Sequence, residues 1–302
     1  MILKDIKTKI QATERTHKVT RAMEAVSAVK MRTAQRTAMQ GRPYARAALS
    51  VLARLSGSAD FARHPLTAVR EVKNVALVIL TSDKGLAGAL NGGVLRAAAG
   101  AVAAYPTEAV TLYAYGKKGE EYFARRDYRI ARAFENKKDL IELSVMEELS
   151  AELTREFVNG RYDEVFVAYS NFKSTFEQVP TLRRLLPLTV ADVERLVEDI
   201  VPEKGRWSEL RAVAAPRAYS VEPDDTSVLD RFAPKLVGIS LYHLLLEAKA
   251  SEHSARMVAM KNASERSKEV VHDLNRLFNK TRQAAITREV SEIIAGREAL
   301  AA

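Results

Sequence analysis

PKLVGISLYHLLLEAKASEHSARMVAMKNASERSKEVVHDLNRLFNKTRQAAITREVSEIIAG, residues Pro234 to Gly296, has no proline or glycine between Gly238 and its final residue. A helix over that stretch would be about 90 Å long, far beyond the usual three to four turns. Val237, Leu241, Leu244, Ala248, Ser251, Ala255 and Val258, then Val270, Leu274 and Leu277, recur at coiled-coil spacing. A rod with such a seam needs something long to lie against. From about Ala284 onward it is expected to project alone, with Ile286, Val290, Ile293 and Ile294 left to meet an external socket.

The opposite end of the chain supplies a partner. From Leu3 to about Leu55 the sequence reads as a second long helix, interrupted only near Gly41-Arg42-Pro43 and stopped by Ser56-Gly57-Ser58. Leu3, Ile6 and Ile10 form a stripe; Val19, Met23 and Val26 resume it on a shifted phase, and Ala45, Ala48, Leu49, Leu52 and Leu55 close it. Thr13, Glu14, His17 and Lys18 stand where a purely structural seam would place leucine. If the intervening segment returns near its start, the two helices run antiparallel and bury their stripes on each other.

Between them the texture changes. Arg63 to Lys73 reads as a linker, and Val75 to Leu80 is a continuous apolar run of the kind a buried parallel strand shows. The helix Asn91–Tyr105, strand Ala109–Tyr115, helix Lys117–Arg126 and strand Ile130–Phe134 follow. Then come a helix from about Asp139 to Val158, the strand Val165–Tyr169, and a further strand within Phe176–Leu188. Strands alternating with helices predict a small, mostly parallel sheet covered on both faces. Val190 to Pro216 reads as a charged excursion, and Asp224-Asp225-Thr226-Ser227 as a helix start, with Pro234 a kink or second start. The expected domains are a coiled-coil helix over 1–56, a Rossmann-like α/β insert over 74–223 and a coiled-coil helix over 224–302.

Composition narrows the function. Of 302 residues 47% are hydrophobic and 28% charged, which suits one to three domains. No run approaches the roughly 18 apolar residues of a membrane span, and the start lacks the apolar block of a signal peptide, so the chain is expected on the side where it is made. With no cysteine, disulfides and thiol chemistry are excluded. Of the 47 basic residues 12 lie in Met1–Ser56, against 3 of the 38 acidic ones, so the first helix carries the whole net charge of +9. A basic rod suggests an acidic partner.

Catalytic signatures are missing. Gly85, Gly88, Gly92 and Gly93 match neither the dinucleotide nor the phosphate-loop spacing and read as packing and turn glycines. His17, His64, His243, His253 and His272 show no metal-ligand spacing. Asp83 beside Lys84 reads as a turn former. Three classes stay open: a mechanical or scaffolding subunit, a nucleic-acid binder using the basic helix, and an enzyme on the α/β domain. The second lacks stacking aromatics, because Tyr44 is the only one before Phe61.

Several motifs resemble a known family. Ile6–Gln35, with His17-Lys18-Val19-Thr20-Arg21-Ala22-Met23, is similar to the opening helix of the gamma subunit of F-type ATP synthases. Ser82-Asp83-Lys84-Gly85-Leu86-Ala87-Gly88 is similar to that family's loop after the first strand. Ser251–Ser264 and Asn279–Gly296 resemble its closing helix most specifically. The resemblance implies a non-catalytic central-stalk rotor, an antiparallel coiled coil inside a head of alpha and beta subunits. The α/β domain would lie beside the epsilon-type subunit and the membrane c-ring, on the cytoplasmic face of the bacterial plasma membrane. No cofactor, metal or nucleic acid is implied. Carried over by position, Lys18, Arg21 and Met23 would face acidic lever loops of the beta subunits, and Arg256 and Met257 belong to the shaft motif. Arg282 and Gln283 would engage a loop of a catalytic subunit, with Ile286 and Glu289 further along the contact. Val19 stands where isoleucine is usual, Ser27 and Val29 interrupt an alanine-rich run, and the tail from Glu298 departs from a small apolar ending.

Overall fold

A computed structural model describes residues 2–55, 61, 63–136, 143–189, 191 and 224–301. The predicted stop at Ser56–Ser58 and the excursion Val190–Pro216 lie outside the described residues, apart from the single residue 191. Two compact units emerge, one from Met1–Ala28 with Arg256–Ala302 and one from Val29–Ala255.

In the second unit, helix α1 (Ile2–Leu55), which enters from the first, leads to strand β1 (Val75–Leu80). Helix α2 (Leu90–Val102), a short 3-10 turn, β2 (Val110–Tyr115), α3 (Lys117–Ala124) and β3 (Arg129–Phe134) follow. The chain then runs through α4 (Leu143–Val158), β4 (Glu164–Phe172) and β5 (Gln178–Leu186) to α5 (Asp225–Ala301). The sheet order is β3-β2-β1-β4-β5. The first four strands are parallel and β5 pairs antiparallel with β4. All six residues of β1 and of β2 are buried, as a sheet covered on both faces requires.

The pleat sorts these strands between two cores. Leu77, Ile79 and Leu112 turn to α2 and α3, meeting Val94, Leu95, Ala98, Val102 and Phe123. Ala76, Val78 and Tyr113 turn the other way, toward Met146, Leu149, Leu153 and Phe157 of α4 and Leu236, Val237, Leu241, Leu244 and Leu245 of α5. Val237, Leu241 and Leu244 are therefore core residues of the sheet, a correction to their expected place in a helix-pair seam. Here α5 is apolar on several faces at once, and such a helix is buried rather than paired along one stripe. The linker expectation for Arg63 to Lys73 also changes, because Leu66 is buried in this same core.

Asp224 caps α5. Its carboxylate accepts the Ser227 N–H and hydroxyl, each at 2.8 Å, which pulls its pKa below the usual value. Helix α5 continues through Pro234 for 77 residues, about 115 Å. Helix α1 likewise runs unbroken through Gly41–Pro43. A proline removes a single helical hydrogen bond, a cost of about 3 kcal/mol that the rest of a long helix can outweigh.

The first unit is a helix pair. Stepping back along α1 from His17 to Glu14 moves forward on α5 from Ser264 to Lys268 and Val271, so the two run antiparallel. On α1 a row of buried or half-buried positions runs through Leu3, Ile6, Ile10, Thr13, His17, Thr20, Glu24 and Ser27. On α5 a matching row runs through Met260, Ser264, Ser267, Val271, Leu274, Phe278, Thr281 and Ala285. Both rows alternate steps of three and four, the coiled-coil repeat. Val19 and Val26 do not belong to it; they are 57% and 54% exposed. Leu277 is also exposed while Phe278 turns inward, so the expected seam is corrected by one position. The repeat set by Leu3, Ile6 and Ile10 simply continues through polar residues.

Candidate functional site

Two places in the fold are candidates. The first is the crevice between the carboxyl ends of β1 and β4, where the strand order reverses and open α/β sheets bind ligands. Here α5 fills it. Leu245, Ala248 and Glu252 meet Leu80, Thr81, Ser82, Leu90, Asn136 and Ser170, leaving about 10 Å³. No nucleotide fits, since small-molecule sites enclose roughly 300 Å³ or more.

The surrounding loop is tied to itself. The Ser82 N–H donates to Asn91 Oδ1 at 3.1 Å, the Ser82 hydroxyl to Lys84 O at 2.6 Å, and Asn91 Nδ2 to Ser82 Oγ at 2.7 Å. Asp83 Oδ1 accepts the Lys117 N–H at 2.9 Å at the start of α3, so this residue is a structural tether. A Cβ on Gly93 would lie 2.6 Å from Pro180 Cγ, and one on Gly119 3.0 Å from Thr81 Oγ1. These glycines allow close packing rather than cradling a phosphate. Among the described residues no cluster of His, Asp and Glu could hold a metal.

The motif around Ser251 also acts locally. Ser251 donates to Ser170 O at 2.8 Å and Ser254 to Thr175 O at 2.7 Å, docking α5 on the β4–β5 hairpin. Sequence reasoning missed Asn136, which donates to Thr81 O at 2.9 Å and Glu252 Oε2 at 3.1 Å. Nothing in the spacing marks it, because both partners are remote in sequence.

The second place is the surface of the helix pair. His17 Nδ1 lies 2.9 Å from Ser264 O, an acceptor, so that nitrogen carries the proton. Glu14, His17, Lys18, Lys268 and Val271 line a groove of about 310 Å³ beside this contact. Lys18 and Arg21 are exposed and form no ion pair among the described residues, whereas Met23 is half-buried. Arg256 and Met257 are half-buried on α5. The register set by His17 and Ser264 brings Met23 and Met257 to one level of the pair. It carries Arg282 and Gln283 past the level of Leu3.

Arg282, Gln283, Ile286 and Glu289 are all exposed, and Arg282, Ile286 and Glu289 share a face at i, i+4 and i+7. Beyond Ala285 every residue described to Arg297 is exposed, including Ile286 at 51% and Ile293 at 71%. Among the described residues nothing covers this charged and apolar face.

A family model described as ATP synthase matches residues 2–300. The ATP synthase gamma chain of Roseiflexus castenholzii is 40% identical across 99% of this chain and 98% of its own length. This chain belongs to the ATP synthase gamma-chain family. The gamma chain of Chlorobium phaeobacteroides is 38% identical over the same shares. Among solved structures, the central stalk and c-ring of Tetrahymena thermophila mitochondrial ATP synthase contains a similar chain. It has a TM-score of 0.61 and 26% identity, over 82% of this chain and 99% of that one. A chain in Euglena gracilis mitochondrial ATP synthase shares the fold, with a TM-score of 0.64 and 17% identity over 99% and 94%. Among the described residues no helix is long and apolar enough to cross a membrane.

Proposed function

We propose that the chain is the central-stalk rotor subunit of a rotary ATP synthase, non-catalytic itself, seated peripherally on the cytoplasmic face of a bacterial plasma membrane. The observation that carries this is full-length similarity to gamma chains combined with a helix pair whose far end is exposed. Its partners are the alpha and beta subunits of the head, an epsilon-type subunit and the c-ring, and nucleic acid is not among them. The working segments are a helix over 1–56, an α/β insert over 74–223 and a helix over 224–302.

The mechanism follows from differential binding. Turning a shaft shifts a catalytic subunit between conformations only if its surface contacts one conformation better than the others. Lys18, Arg21, Met23, Arg256, Met257, Arg282, Gln283, Ile286 and Glu289 are the contact residues in this reading. The cations of α1 meet acidic loops, and Ile286 with its neighbours supplies an apolar tip. The plugged crevice supports a subunit without its own reaction.

Co-expression with alpha and beta subunits tests the proposal. The chain should co-purify with them and stimulate or couple their ATPase activity, while the purified chain alone hydrolyses no ATP. Robust hydrolysis by the chain alone, or failure to assemble, overturns it.

A further inference from the structure

The crevice at the reversal of strand order is closed, yet it contains two polar atoms with no hydrogen-bond partner among the described residues, Asn136 Oδ1 and Ser170 Oγ. Both residues line the residual cavity, and Ser170 is 2% exposed. The orientation of the Asn136 amide follows from its neighbours. Its Nδ2 donates to a backbone carbonyl and a carboxylate, so a flip would set oxygen against two acceptors. The amide oxygen is left as an acceptor without a donor. A buried hydroxyl and amide oxygen without partners are costly, and native proteins rarely leave them so.

The cavity of about 10 Å³ has room for about one water molecule. We propose that it is a binding site for a single structural water. The water donates one proton to Asn136 Oδ1 and one toward the Glu252 carboxylate, and accepts the Ser170 hydroxyl. Three such bonds match the usual valence of a buried water. A hard cation is disfavoured, because it needs about six oxygens and Leu80, Leu90 and Leu245 supply none.

The site joins three segments distant in sequence: the stretch after β3, the end of β4, and α5. Apolar contacts of Leu245 and Ala248 resist separation of helix and sheet but have little preference for rotation about the helix axis. The Ser251, Ser254 and Asn136–Glu252 hydrogen bonds already orient α5 on the sheet, and a water with directional bonds to both sides adds a further restraint on that rotational setting.

A high-resolution crystal structure of the full chain tests this. One peak within hydrogen-bond distance of Asn136 Oδ1 and Ser170 Oγ is expected, with no anomalous signal there after a thallium(I) soak. An empty cavity, or a thallium peak marking a monovalent-cation site, overturns the proposal. Ser170→Val should expel the water and speed amide exchange over Leu245–Glu252 about tenfold. Unchanged exchange with the water gone overturns its positioning role. If that variant does not fold, the wild-type density and thallium result still decide the site.

Discussion

Gly116 shows how much depends on one missing carbon. At φ +102° it sits where L side chains are strained, and an added Cβ would lie 2.1 Å from Thr81 O. Gly116→Ala should therefore cost at least about 2 kcal/mol. Gly85, with nothing within 4 Å of its Cβ position, should accept alanine with a change within about 0.5 kcal/mol. Thermal unfolding of the two variants checks the contrast. His64 supplies a pH test. Its Nδ1 accepts the Leu66 N–H at 3.2 Å, so Nε2 carries the proton toward Asp230 Oδ1 at 3.3 Å. Burial holds the imidazole below its ordinary pKa, against the opposing pull of Asp230. With the folded value depressed, the unfolded chain binds more protons on acidification. This contribution is complete above about pH 6.5 and is lost as pH falls through the folded value. The fall in thermal midpoint on acidification should be shallower in His64→Gln than in the wild type.

At the scale of elements, the helix pair is held by a seam that is polar through its middle. Thr13, His17 and Thr20 face a partner helix that presents Ser264 and Ser267. Polar residues at such positions specify register at a cost in stability. Replacing Thr13 and His17 together with leucine should stabilise the chain by about 1–2 kcal/mol, from the added apolar burial opposite small residues. A higher thermal midpoint is expected; a lower one would mean that the His17 contact outweighs that burial. The seam was hard to see in the sequence because its middle is hydrophilic while the exposed Val19, Val26 and Val29 are not. The strands were readable for the opposite reason. Val75 to Leu80 is buried at every position, so neither alternation nor phase was needed to find it.

For the whole molecule, the basic excess of the first helix and the exposed end of α5 are the surfaces we propose for other chains. Arg282 is exposed, so Arg282→Ala should change stability by no more than about 0.5 kcal/mol. In a complex reconstituted with its partners, the same variant should lower coupled ATP synthesis. Equal losses of stability and coupling would argue against a contact role. The contact roles proposed for Lys18, Arg21, Gln283 and Glu289 rest on family motifs alone, since exposed charges on a helix carry no intrinsic sign of a partner.

The sequence by itself determined the order of elements, the buried parallel strands, the two long terminal helices and the family, because these are written in local periodicity and in uninterrupted motifs. Tertiary structure alone decided which helix faces turn inward, that Val237 to Leu245 belong to the sheet's core, and that the end of β1 is closed rather than open. The same is true of Asn136, Ser170 and Glu252. Their meeting depends on hydrogen bonds and packing between residues far apart in the chain, and no local pattern records which of them will come together. The opening stretch therefore carries two separate tasks: its first turns complete the core of the sheet, and its later turns form half of the antiparallel helix pair.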